Sequence, residues 1–122
     1  MDDCIFCRIA RGEIPATKVY EDEYVVAFRD INPLAPKHVV IIPRRHVDSL
    51  NQLDRLNENE QLALLHACRT VAQAEGITES GYRVAINCGD DAGQTVHHLH
   101  VHVLGGGKLS VNMAQAKKSK TS

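Results

Sequence analysis

The chain has 122 residues, 43% of them apolar and none a tryptophan, which allows one globular domain with a modest core. Fourteen basic against fifteen acidic side chains leave a net charge of −1. That balance argues against a nucleic-acid binder working by phosphate neutralisation and against a basic membrane-surface protein. No apolar run reaches the length of a membrane span, and the acidic start lacks the basic head of a signal peptide, so the expected location is the cytoplasm. In that reducing compartment Cys4, Cys7, Cys68 and Cys88 are expected as thiols or metal ligands rather than a disulfide framework.

Asp3 to Arg11 predicts a short helix, capped by Asp3 and ended by Gly12, with Ile5, Phe6 and Ile9 on its apolar side. Lys18 to Tyr20 and Tyr24 to Phe28 read as a hairpin around the polar turn Glu21-Asp22-Glu23. A loop punctuated by Pro33 and Pro36 leads into His38-Val39-Val40-Ile41-Ile42. That unbroken apolar run predicts a strand buried on both faces and stopped by Pro43. Asn57 and Glu60 have the spacing of a capping box and open the one long helix. Leu64, Cys68, Val71 and Ala72 form its apolar stripe, Leu65 widens the stripe, and Gly76 is the stop. Tyr82, Val84 and Ile86 alternate with Arg83, Ala85 and Asn87, a fourth strand. The expected architecture is an α+β domain, an antiparallel sheet of about five strands with one long helix and a short N-terminal helix. It spans residues 1–107. Residues 108–122, with Lys117, Lys118, Lys120 and little apolar content, read as a mobile tail.

The last strand carries the chemistry. His98-Leu99-His100-Val101-His102-Val103-Leu104 alternates, so three histidines share one face while Leu99, Val101 and Val103 point to the other. His97 has the wrong parity and falls outside the set. Imidazole acts near neutral pH as nucleophile, proton carrier or metal ligand, so three in register make a small reactive surface. The loop from Cys88 to Thr95 feeds directly into them. Its Gly89 and Gly93 let backbone N–H groups approach an anion, and Gln94 and Thr95 add side-chain donors, as a phosphate site requires. A second constellation is metal-like. Cys4-x-x-Cys7 has zinc-binding spacing, with His46 and His98 available as nitrogen ligands; on a helix start the same pair also fits a redox couple or two buried thiols.

Gly93-Gln94-Thr95-Val96-His97-His98-Leu99-His100-Val101-His102-Val103-Leu104 resembles the signature of the histidine triad superfamily of nucleotide hydrolases and transferases. Cys4-Ile5-Phe6-Cys7-Arg8-Ile9, Glu13-Ile14-Pro15, Phe28-Arg29-Asp30-Ile31-Asn32-Pro33, Pro36-Lys37-His38 and Ile42-Pro43-Arg44-Arg45-His46 match its landmarks in order. The resemblance runs from about Cys4 to Gly106, and the Gly105-Gly106 ending is most similar to the histidine triad nucleotide-binding (Hint) branch.

The resemblance implies a homodimer with one continuous sheet and a purine nucleoside monophosphate site in each subunit. It implies that His100 attacks the α-phosphorus, that His102 hydrogen-bonds the phosphate and leaving group, and that His38 supports the triad from the neighbouring strand. Asp30 would accept from the ribose hydroxyls beside Ile31, while Phe6, Ile9 and Ile14 form the base slot. Asn87, Gln94 and Thr95 would hold the phosphate, with Thr95 standing where the Hint branch usually has serine. Members with this cysteine pair are similar to zinc proteins, which implies a structural zinc on Cys4, Cys7, His46 and His98 and no catalytic cofactor. The implied activity is hydrolysis of the P–N bond of AMP–amine conjugates. The rivals are a dinucleoside polyphosphate hydrolase or phosphorylase, and a nucleotide-binding regulatory module.

Overall fold

Both helices begin and end where capping groups take over their unpaired backbone. The computed structural model describes residues 4–110, so the expected Asp3 cap lies outside the described residues. Within them α1 (Ile5–Ala10) is capped by Cys4, whose Sγ accepts from the Cys7 N–H at 3.4 Å. Helix α2 (Glu58–Ala74) opens on the expected capping box: Asn57 Oδ1 accepts from Glu60 N–H and Glu60 Oε1 from Asn57 N–H, both at 2.8 Å. Gly12 and Gly76 sit just past the two helices at φ +77° and +75°, the left-handed conformation that lets the chain turn back and satisfy the last carbonyls. The N–H of Glu13 then reaches the Arg8 carbonyl at 2.8 Å and that of Ile77 the Ala72 carbonyl at 3.0 Å.

Strands β1 (Lys18–Glu21), β2 (Val25–Arg29), β3 (Lys37–Pro43), β4 (Tyr82–Ala85) and β5 (Val101–Gly105) form one antiparallel sheet in the order β1-β2-β3-β5-β4. This is the α+β arrangement expected. The β1–β2 turn is set by Asp22, whose Oδ1 accepts from the N–H groups of Tyr24 and Val25 at 2.7 and 2.8 Å. Helical turns at Leu50–Arg55 and Asp90–Ala92 complete the regular structure among the described residues. None of the described helices is long and apolar enough to cross a membrane. The expected tail falls mostly on residues 111–122, outside the described residues.

Period-two alternation divides the apolar residues between two layers. Val25, Ala27, Val39, Ile41, Leu99, Val101 and Val103 pack with Leu64, Ala67, Cys68, Val71 and Ala72 of α2. On the other face Val26, Phe28, Val40 and Ile42 pack with Ile9, Phe6, Ala10 and Ile14. The central strand β3 is therefore buried on both faces, as its sequence predicts, with Ile41 and Ile42 fully enclosed. Truncating either to alanine is expected to cost about 2–5 kcal/mol.

Two expectations need correction. Leu65 does not extend the buried stripe: it is 68% exposed and joins Leu62, Val84 and Ile86 on the surface. The last strand begins at Val101 rather than His98. Ladder pairing between β3 and β5 ends at Ile41–Val101, and Pro43 supplies no N–H to prolong it. The Leu99 N–H turns instead to the Val47 carbonyl at 2.8 Å.

Candidate active site and metal centre

The alternation of faces survives the shortened ladder. Leu99, Val101 and Val103 enter the α2 core, while His98, His100 and His102 turn toward α1 and β3. His98 is fully buried and His100 nearly so. Their rings stack edge to face with Phe6, at centroid separations of 5.9 Å for His98 and 5.1 Å for His100. His102 lies edge to face with His100 at 5.0 Å.

The proton positions follow from groups that can act in one sense only. The His98 carbonyl can only accept, so Nδ1 of His100, 2.7 Å away, carries the proton. That leaves His100 Nε2 with a bare lone pair when the ring is neutral. The Leu34 N–H can only donate, and it donates to Nδ1 of His38 at 3.1 Å. The His38 proton therefore sits on Nε2, 2.9 Å from Nδ1 of His102, which accepts it. His102 is left with its own proton on Nε2, a donor for a phosphate oxygen or a leaving atom. Burial, with the neighbouring His100 and His38, lowers the His102 pKa to about 4 against the opposing Asp30 carboxylate. Burial also lowers that of His38, and again Asp30 opposes. Oδ2 of Asp30 stands 3.5 Å from His38 Nε2, and its Oδ1 accepts from the Asn32 N–H at 2.8 Å.

The remaining expected nucleotide contacts divide. Phe6 and Ile14 are partly buried against the smaller core cluster, and Ile9 is a buried member of it. Ile31 is 90% exposed on the loop that carries Asp30. The β4–β5 ladder stops at the Ala85–His102 pair, and Asn87 lies half-buried two residues beyond the end of β4. Thr95 is exposed at the end of the glycine loop.

Gln94 departs from the role expected of it. Its side chain is buried, and both amide protons are committed, to the Asp48 carbonyl at 2.7 Å and the Val96 carbonyl at 3.1 Å. Its Oε1 accepts from the Gly89 N–H at 2.9 Å. Gln94 therefore braces the loop from inside, and its amide protons are not available to a phosphate.

On the far side of Phe6 the four expected metal ligands converge. The donor atoms of Cys4, Cys7, His46 and His98 all lie within 4.8 Å of one another. Cys4 Sγ is 3.3 Å from His98 Nδ1, and Cys7 Sγ is 3.3 Å from His46 Nδ1 and 3.6 Å from His98 Nδ1. Zinc bonds of about 2.0–2.3 Å to nitrogen and sulfur give tetrahedral donor separations of about 3.3–3.8 Å, so the spacing fits. The proton assignment fits too. His98 Nε2 donates to the Pro43 carbonyl at 2.9 Å and His46 Nε2 to Asp48 Oδ1 at 2.9 Å, so the two Nδ1 atoms face each other bare at 3.1 Å. They cannot hydrogen-bond to one another, and a cation accepts both lone pairs at once. Burial lowers the His98 pKa to about 4, which keeps the ring unprotonated for ligation. Burial and the adjacent Cys4 raise the Cys7 thiol to about 11, and a bound cation would favour its thiolate. Asp30, His38 and His102 are also within metal-ligand reach of one another, but the donation from Leu34 keeps a proton, not a lone pair, on His38 Nε2.

Three determinants escaped the sequence reading: the Leu34 N–H, the Pro43 carbonyl and Asp48. The first two are backbone groups that leave no mark on residue type. Asp48 had a readable signal, a carboxylate two residues beyond a candidate histidine ligand.

Comparison with known proteins places the chain in a family. The family model for the HIT domain matches residues 11–109. The crystal structure of a HIT family hydrolase from Legionella pneumophila Philadelphia 1 superposes with a TM-score of 0.82 at 44% identity, covering 91% of this chain and 99% of that one. A protein of Zea mays named 14 kDa zinc-binding protein is 50% identical over 109 residues, 87% of this chain and 84% of its own length. The Escherichia coli K12 protein named purine nucleoside phosphoramidase is 40% identical over 113 residues, 93% of this chain and 95% of its own. With its histidines in register on one sheet face and the family's pattern matched across nearly the whole domain, the chain belongs to the HIT domain family and is a HIT-family hydrolase.

Proposed function

We propose that this hydrolase cleaves the P–N bond of purine nucleoside 5′-phosphoramidates, AMP–amine conjugates among them, through a nucleotidyl-histidine intermediate. The observation that carries the reading is the opposed polarity of two adjacent rings. His100 is pinned through Nδ1 to the His98 carbonyl at 2.7 Å and presents a lone pair, while His102, accepting from His38 at 2.9 Å, presents a proton. The name of the Escherichia coli relative supports the choice of bond.

His102 Nδ1 already accepts from His38 and burial holds the ring neutral, so the proton that the leaving amine needs is taken up with the substrate on the scissile nitrogen, while His102 Nε2–H donates to a phosphate oxygen. The His100 Nε2 lone pair attacks the α-phosphorus and forms a P–N bond. The scissile P–N bond breaks, and its electron pair leaves on the protonated nitrogen, which departs as the neutral amine. Water then attacks phosphorus and releases one proton to solvent. The bond to His100 breaks, its lone pair is restored, and the nucleoside monophosphate departs.

In this reading Asp30 accepts from the ribose hydroxyls, with Ile31 beside it, and Phe6, Ile9 and Ile14 line the base slot. Asn87 and Thr95 receive the phosphate; the N–H groups of Gly89, Gly93 and Gln94, expected to approach it, are committed within the loop. Cys4, Cys7, His46 and His98 would hold a structural zinc, which would cross-link α1 to the segment carrying the triad. The protein works as a homodimer, whose contact uses the exposed apolar face of Leu62 and Leu65 on α2 with Val84 and Ile86 and covers the open edge of β4.

The test is a panel of adenosine 5′-phosphoramidates with varied amines, run beside diadenosine polyphosphates. Turnover of the phosphoramidates in preference, lost in His100→Ala, is the expected result. Preference for the P–O–P substrates replaces the reading with that of a dinucleoside polyphosphate hydrolase. Nucleotide binding with no His100-dependent turnover replaces it with a regulatory module.

A further inference from the structure

The two imidazoles of the metal cluster are oriented by different acceptors. His98 Nε2 donates to the main-chain carbonyl of Pro43, which every substitution keeps. His46 Nε2 donates to the carboxylate of Asp48 at 2.9 Å, which a single substitution removes. The His46 side chain is 14% exposed and that of Asp48 57% exposed, so the carboxylate keeps much of its hydration and acts on the ring from the solvent side.

Asp48 is itself held at both main-chain groups. Its N–H donates to Gln52 Oε1 at 2.7 Å, and its carbonyl accepts from the buried Gln94 amide at 2.7 Å. The carboxylate is thereby delivered from a fixed backbone, and the hydrogen bond is formed before any ligand arrives. An acceptor at this place selects the His46 tautomer with the proton on Nε2. The same contact fixes the rotation of the ring, which leaves Nδ1 bare and 3.3 Å from Cys7 Sγ and 3.1 Å from His98 Nδ1. Without the acceptor the proton is distributed over both nitrogens and the ring turns about its Cβ–Cγ bond.

We infer that Asp48 is a positioning residue of the metal centre: through His46 it sets the tautomer and aim of one of the four ligands. The inference rests on the metal reading given above and adds to it a residue outside the ligand set.

The experiment measures zinc affinity by competition with a chromogenic chelator, for wild type, Asp48→Ala and Asp48→Asn, at neutral pH. Loss of such an outer partner typically weakens metal binding about 10–100-fold, and that is the change expected of Asp48→Ala. Asp48→Asn retains an oxygen that accepts the same hydrogen bond and should recover most of the affinity. Metal-stripped wild type and Asp48→Ala should melt at the same temperature, since the contact acts on the ligand and not on the fold. Zinc held equally tightly by Asp48→Ala, or no recovery in Asp48→Asn, overturns the inference while leaving the metal centre in place. A wild-type protein that takes up no zinc overturns both.

Discussion

The main-chain carbonyl of His98 accepts the Nδ1 proton of His100 at 2.7 Å, so the residue whose ring turns to the Cys4–Cys7–His46 cluster holds, through its backbone, the ring proposed as the nucleophile. A carbonyl has no proton to give, so His100 Nε2 carries the lone pair. His100→Ala is accordingly expected to lower kcat on a phosphoramidate by several orders of magnitude, with AMP binding kept within several-fold. Acid quench of wild type with substrate should trap a nucleotidyl group on His100. Turnover by His100→Ala near the wild-type rate would show that another group is the nucleophile.

Burial leaves a signature on acid stability. His102 titrates at about 4 in the folded chain, against about 6.5 for an exposed histidine, and burial lowers His38 as well. Below about 6.5 the unfolded chain binds these protons and the folded chain resists them. Their contribution is fully present above that pH and is lost progressively as pH falls toward 4. Melting temperatures of metal-free protein should drop across this window, and His102→Asn should flatten the drop. An unchanged slope in His102→Asn would sink the assignment.

Removing the metal ligands should separate stability from chemistry. Cys4→Ser combined with Cys7→Ser is expected to lower the melting temperature and abolish near-stoichiometric zinc, while turnover per folded molecule falls less. Elemental analysis of wild type purified without chelator checks the premise. Absence of metal there removes the zinc assignment, and the proposed role of His100 stands without it.

An apolar face that joins Leu62, 54% exposed, and Leu65, 68% exposed, to Val84 and Ile86 is a liability unless covered. Leu65→Asp should convert a dimer to a monomer in solution-mass measurements at micromolar concentration. Because Leu65 buries little within its own chain, the monomer should remain folded by circular dichroism. Wild type that is already monomeric under those conditions refutes the dimer.

Much of the fold was legible because it rests on local signals. The capping box at Asn57 and Glu60, the stops at Gly12 and Gly76, and the two-sided burial of β3 depend on spacing and residue type, and each is present as read. Leu65 was misplaced because helical periodicity marks an apolar side chain and not what covers it. The start of the last strand was misplaced because a ladder's end depends on the partner strand: Pro43, distant in sequence, ends the pairing that the alternation from His98 invites.

By itself the sequence determined that three histidines share a face, since alternation is a property of extended backbone whatever surrounds it. It also marked Cys4-x-x-Cys7 as a candidate metal pair, since donor type and spacing are written in the residues, while the family resemblance implied the full set with His46 and His98. The structure decided which partner orients each ring. The Leu34 N–H, the His98 and Pro43 carbonyls and the Asp48 carboxylate place the protons, and Gln94 turns from an expected phosphate donor into an internal brace. A tautomer is chosen by the group opposite it, and a side-chain amide is available only if no carbonyl has taken its protons. Both depend on which donor or acceptor the fold brings within hydrogen-bond reach, and that is not encoded in the identity of the residue itself.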